Sequence, residues 1–108
     1  MIDMSSLQQS IDLDDSHLQE ILNLLAEYLP DKRILAFGSR VRHTAKPHSD
    51  LDLVILDDKP TGLSRLGLIR DAFEASDLPF RVDLLDWQRL TPEFQQIILQ
   101  TGISIQGA

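Results

Sequence analysis

The length, composition and charge of the chain limit what it can be. With 108 residues, of which 43% are hydrophobic and 25% charged, it can build one modest core and is too short for two lobes. It contains no cysteine, which excludes disulfides and thiolate metal sites. The net charge of −7 argues against an extensive nucleic-acid-binding surface, because phosphates would be repelled. No apolar run approaches the length of a membrane span, and the N-terminus "MIDMSSLQQSIDLDD" lacks the pattern of a signal peptide. We therefore expect a cytoplasmic protein without membrane contact.

Basic residues are concentrated in one segment. Half of the 10 lysines and arginines lie between positions 32 and 49, where no acidic residue occurs: Lys32, Arg33, Arg40, Arg42 and Lys46. A local positive field in an acidic protein suits a compact anion such as a nucleoside triphosphate. On charge alone, a solvated loop with chance clustering is an equally good explanation.

The first half of the chain predicts an arm, a helix and two strands. Residues 1–14 are polar and unpatterned, which predicts a flexible N-terminal arm or a short docking segment. From residue 15, helix-capping residues precede apolar residues with helical spacing, and the predicted helix ends before Pro30. "RILAFGS" predicts strand one, and "LDLVIL" predicts strand two.

The second half predicts helix, strand and helix. An amphipathic helix is expected over residues 63–75, and "FRVDLLDW" predicts strand three. Thr91 and Pro92 form a strong helix start, Gly102 ends that helix, and "ISI" predicts a short edge strand. The single domain expected over 15–108 thus has the order α-β-α-β-α-β-α, with a short helix after strand one.

The connections predict an α/β (α+β) fold with a small mixed sheet flanked by helices. The helical crossover makes strands two and three parallel, whereas the connection of roughly ten residues between strands one and two favours an antiparallel pair. Gly38-Ser39 at the end of strand one, Asp50 and Asp52 at the start of strand two, and Asp83 at the start of strand three should then meet at one sheet edge.

The residues that converge at this edge fit phosphate chemistry. Asp50 and Asp52 alternate along a strand and therefore share a face. Close carboxylates repel one another, and Mg²⁺ would relieve the repulsion, so that three acids can hold two ions. Gly38 lets backbone approach a phosphate, and Ser39 offers a hydroxyl at the start of the short helix. Each motif alone is weak, since a lone D-x-D is more often a turn or a solvated edge.

The arrangement resembles one known superfamily. Haloacid-dehalogenase-like phosphatases also use a D-x-D, but there the apolar strand precedes the acids, whereas here it follows them. Gly38-Ser39, ten residues and then Asp50-Leu51-Asp52 resemble the G-S-x10-D-x-D signature of polymerase-beta-like nucleotidyltransferases, and "RVDLLDW" resembles the strand with their third acid. Over about residues 15–105 the chain looks like the minimal nucleotidyltransferases, the antitoxins of HEPN/MNT toxin–antitoxin pairs.

The resemblance implies a palm-like core and specific roles. Asp50, Asp52 and Asp83 would be catalytic and bind the metal ions, two Mg²⁺, and Asp83 would also lower the pKa of the attacking hydroxyl. The nucleotide would be held by Gly38, Ser39 and Arg40. The reaction would transfer AMP from ATP to a hydroxyl, a tyrosine of a HEPN-domain toxin, in a hetero-oligomer.

Two other functions and three residues complete the sequence-based interpretation. An antitoxin that only occludes its partner would not need three clustered acids, and a small-molecule nucleotidyltransferase usually needs a second domain or a dimer. Many relatives have a glycine where this chain has His43, which puts the turn over the triphosphate in question. His43 and His48 could touch phosphate, although loop histidines are more often solvated. Asp86 is expected to cap a turn rather than bind metal, because it faces away from Asp83.

Overall fold

A four-stranded mixed sheet organises the chain. The computed structural model describes residues 10–107, and the strand order is β3-β2-β1-β4. The strands are β1 (Ile34–Phe37), β2 (Leu51–Ile55), β3 (Val82–Asp86) and β4 (Ile103–Gln106). The helices are α1 (Asp15–Tyr28), α2 (Leu63–Ala75) and α3 (Pro92–Thr101), with a 3₁₀ turn at Trp87–Arg89.

The strand pairing confirms the predicted directions. β1 and β2 are antiparallel, with Phe37 opposite Asp52. β2 and β3 are parallel, with Asp52 opposite Asp83. The predicted short strand at the C-terminal end is β4, which pairs antiparallel with β1. The mixed sheet follows from the connections, because β2 and β3 are the one pair of neighbouring, consecutive strands of the described residues that a helix joins.

The two faces of the sheet are covered by different helices. On one face the main core joins α1 and α2 to the strands through side chains such as Ile21, Leu25, Ile69, Ile34, Leu53 and Leu84. On the other face, Ile98 of α3 packs with Leu35, Phe37 and Val54. Asp52 lies between Leu51 and Leu53, which belong to the main core, so its side chain lies on the α3 face.

The predicted short helix between β1 and β2 is wrong. Residues 39–43 form turns instead, in which the N–H groups of Val41 and Arg42 both donate to the carbonyl of Gly38, each at 3.1 Å. His43 follows with a φ of 57°, a left-handed conformation that stops a right-handed helix. The connection is therefore a tight turn followed by an irregular loop up to Asp50.

The N-terminal prediction needs correction for the residues that the structure describes. Residues 1–9 lie outside them, but Ile11 is only 1% exposed and belongs to the main core. The N–H of Asp12 donates to the carbonyl of Arg40 at 2.8 Å. Burial of an isoleucine stabilises by about 2 kcal/mol. The described residues before α1 therefore form a short docking segment rather than a flexible arm.

Within residues 10–107, no helix is long and apolar enough to span a membrane. The side of α3 away from the sheet nevertheless exposes apolar side chains, with Ile97 57% and Leu99 56% exposed.

Candidate active site

Three separate chain segments meet at one edge of the sheet. Asp52 on β2 is flanked in register by Asp83 on β3 and by Phe37, the last residue of β1. Gly38 and Ser39 follow Phe37 directly, and Asp50 precedes β2. Neighbouring strands are about 4.8 Å apart. The strand pairing therefore brings these three segments close together, as the sequence predicted.

The electrostatics centre on Asp52. Burial raises the pKa of its half-buried carboxyl above the ordinary value, and the negative charges of Asp83 and Asp50 raise it further. The positive charge of Arg42 acts in the opposite direction. Both raising effects disfavour the ionised form, so an added cation would be strongly attracted to this position.

Gly38 closes over the Asp52 carboxylate. It has a φ of +83°, and a Cβ at this position would lie 2.3 Å from Oδ2 of Asp52. The glycine thus serves two needs, a left-handed backbone and a close approach of that backbone to a carboxylate. The sequence predicted only an approach of the Gly38 backbone to phosphate, so the contact with Asp52 is an addition from the structure.

Ser39 begins the loop that follows this turn. Its side chain is half-buried, and its carbonyl accepts from the N–H of Thr44 at 3.0 Å. Ser39 follows Gly38 directly in the chain. Its role as a phosphate ligand stays a prediction.

The side chain of Arg40 is held by carbonyls of the protein's own backbone, and its predicted nucleotide contact stays a prediction. Arg40 is 5% exposed, and its guanidinium donates to the carbonyls of Asp12, at 2.8 Å, and of Ser49, at 2.8 and 3.1 Å. A further bond reaches the carbonyl of Pro47 at 3.2 Å, and the group stacks 4.2 Å from the centre of the Phe80 ring. With its donors directed at backbone, Arg40 is a positioning residue that fixes the residue before Asp50.

Replacing Arg40 by methionine is expected to destabilise the fold by about 3 kcal/mol. The change leaves the partly buried carbonyls of Asp12, Pro47 and Ser49 without the charged donor, and hydrogen bonds to charged groups are worth about 1.5–3 kcal/mol each before relaxation. Urea unfolding followed by circular dichroism measures the loss. Arg42→Met is the matched control, because Arg42 is exposed, and a surface change of this kind costs no more than about 0.5 kcal/mol. Equal effects of the two substitutions would contradict the positioning role.

Arg42 is the site residue that the sequence-based assignment passed over. It is exposed, yet its charge lowers the pKa of Asp52, so it lies within electrostatic reach of the acids. The signal was available, since Arg42 belongs to the basic segment. The sequence could not show which of those basic residues face the site.

The basic segment is split by the fold. Lys32 pairs with Asp57 beyond the end of β2, and Arg33 precedes β1, whose first residue lies opposite Ile55. Both therefore lie at the edge opposite the acids, and Arg40 is buried. The expected positive field for an anion is reduced to Arg42 and Lys46, which follow the Gly38 turn in the β1–β2 connection.

The donor set at this edge fits Mg²⁺ chemically. Among residues 10–107, no group of three or more His, Asp or Glu side chains is already gathered as a complete metal site. Mg²⁺ does not require one, because it commonly binds through one or two carboxylates and completes its shell with water and substrate phosphate. Asp52, with a pKa raised by burial and by neighbouring carboxylates, is a position that a hard cation would stabilise.

Two other predicted positions have clear structural roles. His43 has the one positive φ among the non-glycine residues of the described part of the chain, a backbone conformation that favours glycine. Asp86 accepts from the hydroxyl of Thr61 at 2.6 Å and from its N–H at 3.4 Å. As expected for a turn-capping residue, it holds the loop before α2.

Comparison with known proteins agrees with this geometry. Residues 19–107 match the family described as "Polymerase beta, Nucleotidyltransferase". The chain belongs to this family. It is also 40% identical over 103 residues to the Haemophilus influenzae protein named "Probable protein adenylyltransferase MntA", covering 95% of this chain and 90% of that one.

Solved structures share the fold. A toxin–antitoxin crystal structure with AMP-PNP matches with a TM-score of 0.69 and 25% identity, covering 84% of this chain and 73% of that chain. A complex of a tri-AMPylated Shewanella oneidensis HEPN toxin with its MNT antitoxin matches with a TM-score of 0.65 and 23% identity, covering 89% and 74%. The predicted fold class and the prediction of a nucleotidyltransferase are confirmed.

Proposed function

We propose that this protein is an antitoxin that transfers AMP from ATP to a tyrosine hydroxyl of a HEPN-domain toxin. One observation carries the proposal most directly: the Gly38 turn closes over Asp52, which lies opposite Asp83 in register. A phosphate-binding turn beside paired carboxylates is what a metal-assisted phosphoryl transfer needs. The relative named protein adenylyltransferase and the toxin–antitoxin structure with AMP-PNP support the same reaction and partner.

Each residue has a distinct part in the proposed reaction. Asp50, Asp52 and Asp83 would hold Mg²⁺, which supplies charge neutralisation at the phosphate and activation of the attacking hydroxyl. Gly38 and Ser39 would bind the departing pyrophosphate through backbone and hydroxyl groups, with Arg42 adding positive charge. Asp83 would accept the proton of the acceptor hydroxyl, and Arg40 keeps the loop before Asp50 in place.

An antitoxin that acts only by occlusion fits the site less well. Asp52 is half-buried beside two other acids, and this burial and repulsion disfavour its ionised form. Binding to a partner does not require such a group at this position. Catalysis does, because it needs the metal that the carboxylates attract.

The decisive experiment is intact-mass spectrometry of a candidate HEPN-domain partner after incubation with the protein, Mg²⁺ and ATP. A mass gain of one or more AMP units is expected, and peptide mapping would then identify the acceptor. The variant with both Asp50→Asn and Asp52→Asn is the control and should give no gain. A stable complex without any mass change would overturn the transferase and leave occlusion as the mechanism.

A further inference from the structure

Asp50 is the acid of the candidate site that the sheet does not hold directly. It precedes β2, and the paired register of β2 with β3 begins at Leu51. Both chain neighbours of Asp50 are nevertheless tethered. The carbonyl of Ser49 accepts from Nη2 of Arg40 at 2.8 Å. The N–H of Leu51 donates to the carbonyl of Arg81 at 2.9 Å, so the position of Asp50 depends on these two tethers.

One aromatic ring connects the two tethers. Phe80 directly precedes Arg81 in the chain, and the Cζ atom of Arg40 lies 4.2 Å from the centre of the Phe80 ring. The ring of His17, on α1, meets the Phe80 ring edge to face, with 5.8 Å between the ring centres. A guanidinium is attracted to the face of an aromatic ring and lies flat on it. The Phe80 ring therefore fixes the plane in which the Arg40 donors point.

We infer, on the basis of the proposed function, that Phe80 is a positioning residue for AMP transfer, which acts through the two tethers on Asp50. Arg40 belongs to the connection that begins at Gly38, and Phe80 lies three residues before Asp83. The contact between ring and guanidinium thus joins all three chain segments of the candidate site. Loss of the ring frees the guanidinium to tilt, and the segment that ends at Asp50 then loses its fixed position.

Two other roles of the Phe80 ring give different results in an experiment. The ring borders an open groove beside Asp50 and Asp83, and a ring that bound substrate there would raise KM when removed. The ring also packs against the main core, and a ring that only filled space would weaken the whole domain evenly when removed. A positioning role instead lowers kcat and loosens the tether at Leu51 more than the rest of the fold.

Replacing Phe80 by leucine removes the ring and keeps an apolar side chain. In Phe80→Leu, kcat for transfer is expected to fall about tenfold, since a displacement of about 1 Å in a catalytic group costs about 100-fold and the loosened segment moves less. KM for the partner and for ATP should stay within about twofold. Phe80→Tyr keeps the ring and should restore kcat. Tyr28→Leu is the matched control, because Tyr28 is also a partly buried aromatic residue on the main core, and it should leave kcat unchanged.

Amide hydrogen exchange measures the tether without any turnover. Phe80→Leu is expected to speed exchange of the Leu51 N–H about tenfold more than that of the Leu29 N–H, which donates to the carbonyl of Leu25 at the end of α1. Equal acceleration at both amides, a raised KM with unchanged kcat, or a kcat that Phe80→Tyr does not restore would overturn the positioning role. Absence of transfer by the unaltered protein would instead overturn the proposed function and the role of Phe80 in it, while exchange at Leu51 still decides whether the ring holds the tether.

Discussion

Asp52→Asn is expected to remove transfer activity and, at neutral pH without metal, to stabilise the fold. Asparagine keeps the shape of the side chain but cannot hold Mg²⁺ as a carboxylate does. Electrostatic stabilisation by a bound metal is worth several kcal/mol, so the rate should fall about 10³-fold. Mass spectrometry of the partner over time gives this rate.

The stability gain follows from the direction of the pKa shift. Asp52 has a raised pKa in the folded protein because of burial and the charges of Asp83 and Asp50, so folding favours its protonated form. The stability linked to this group is present below the unfolded pKa, about 4, and is lost as pH rises through the folded pKa. Asparagine carries no charge and should be the more stable variant above that range, with the difference vanishing at low pH.

Thermal unfolding at a series of pH values measures this difference. Asp71→Asn is a suitable control, since Asp71 is exposed on α2, and a surface change of this kind costs no more than about 0.5 kcal/mol. Mg²⁺ should raise the stability of the unaltered protein and have little effect on Asp52→Asn. A variant that is less stable than the unaltered protein at neutral pH would contradict the electrostatic account of the site.

The architecture was predictable because local signals determined it. Thr91 caps α3 as expected, its hydroxyl accepting from the N–H of Phe94 at 3.2 Å, and Pro92 is the first helical residue. The connection lengths determined the strand directions, and the directions placed Asp83 beside Asp52. These are consequences of residue type and spacing within short segments, which a sequence shows directly.

The contacts that shape the site were less accessible to sequence reasoning. Arg40 follows the Gly-Ser motif and was therefore assigned to the nucleotide, but carbonyls of Asp12 and Ser49, distant in sequence, converge on its guanidinium. The short helix after β1 was inferred from the same motif, although the left-handed His43 stops it. The surroundings of Arg40 depend on contacts between distant segments, and the end of the turn depends on the backbone angle of His43. Residue type alone specifies neither.

Gly38→Ala is expected to reduce transfer about 100-fold and to destabilise the fold by roughly 1–2 kcal/mol. Its φ of +83° is unfavourable for alanine. The added Cβ would also collide with Oδ2 of Asp52, 2.3 Å away, so the carboxylate must rotate or the turn must move. A displacement of about 1 Å in a catalytic group is enough for a loss of this size.

Gly62→Ala separates the two causes. Gly62 also has a positive φ, +98°, but an added Cβ there meets nothing within 4 Å, and it lies just before α2, beyond the end of β2 that is far from the acids. It should lose stability through backbone strain while keeping its transfer rate. If Gly62→Ala lost activity to the same extent as Gly38→Ala, strain would explain both losses. If only Gly38→Ala loses activity, the contact between the turn and Asp52 is what the glycine provides, and the turn proposed to bind phosphate acts as one unit with the carboxylate proposed to bind metal.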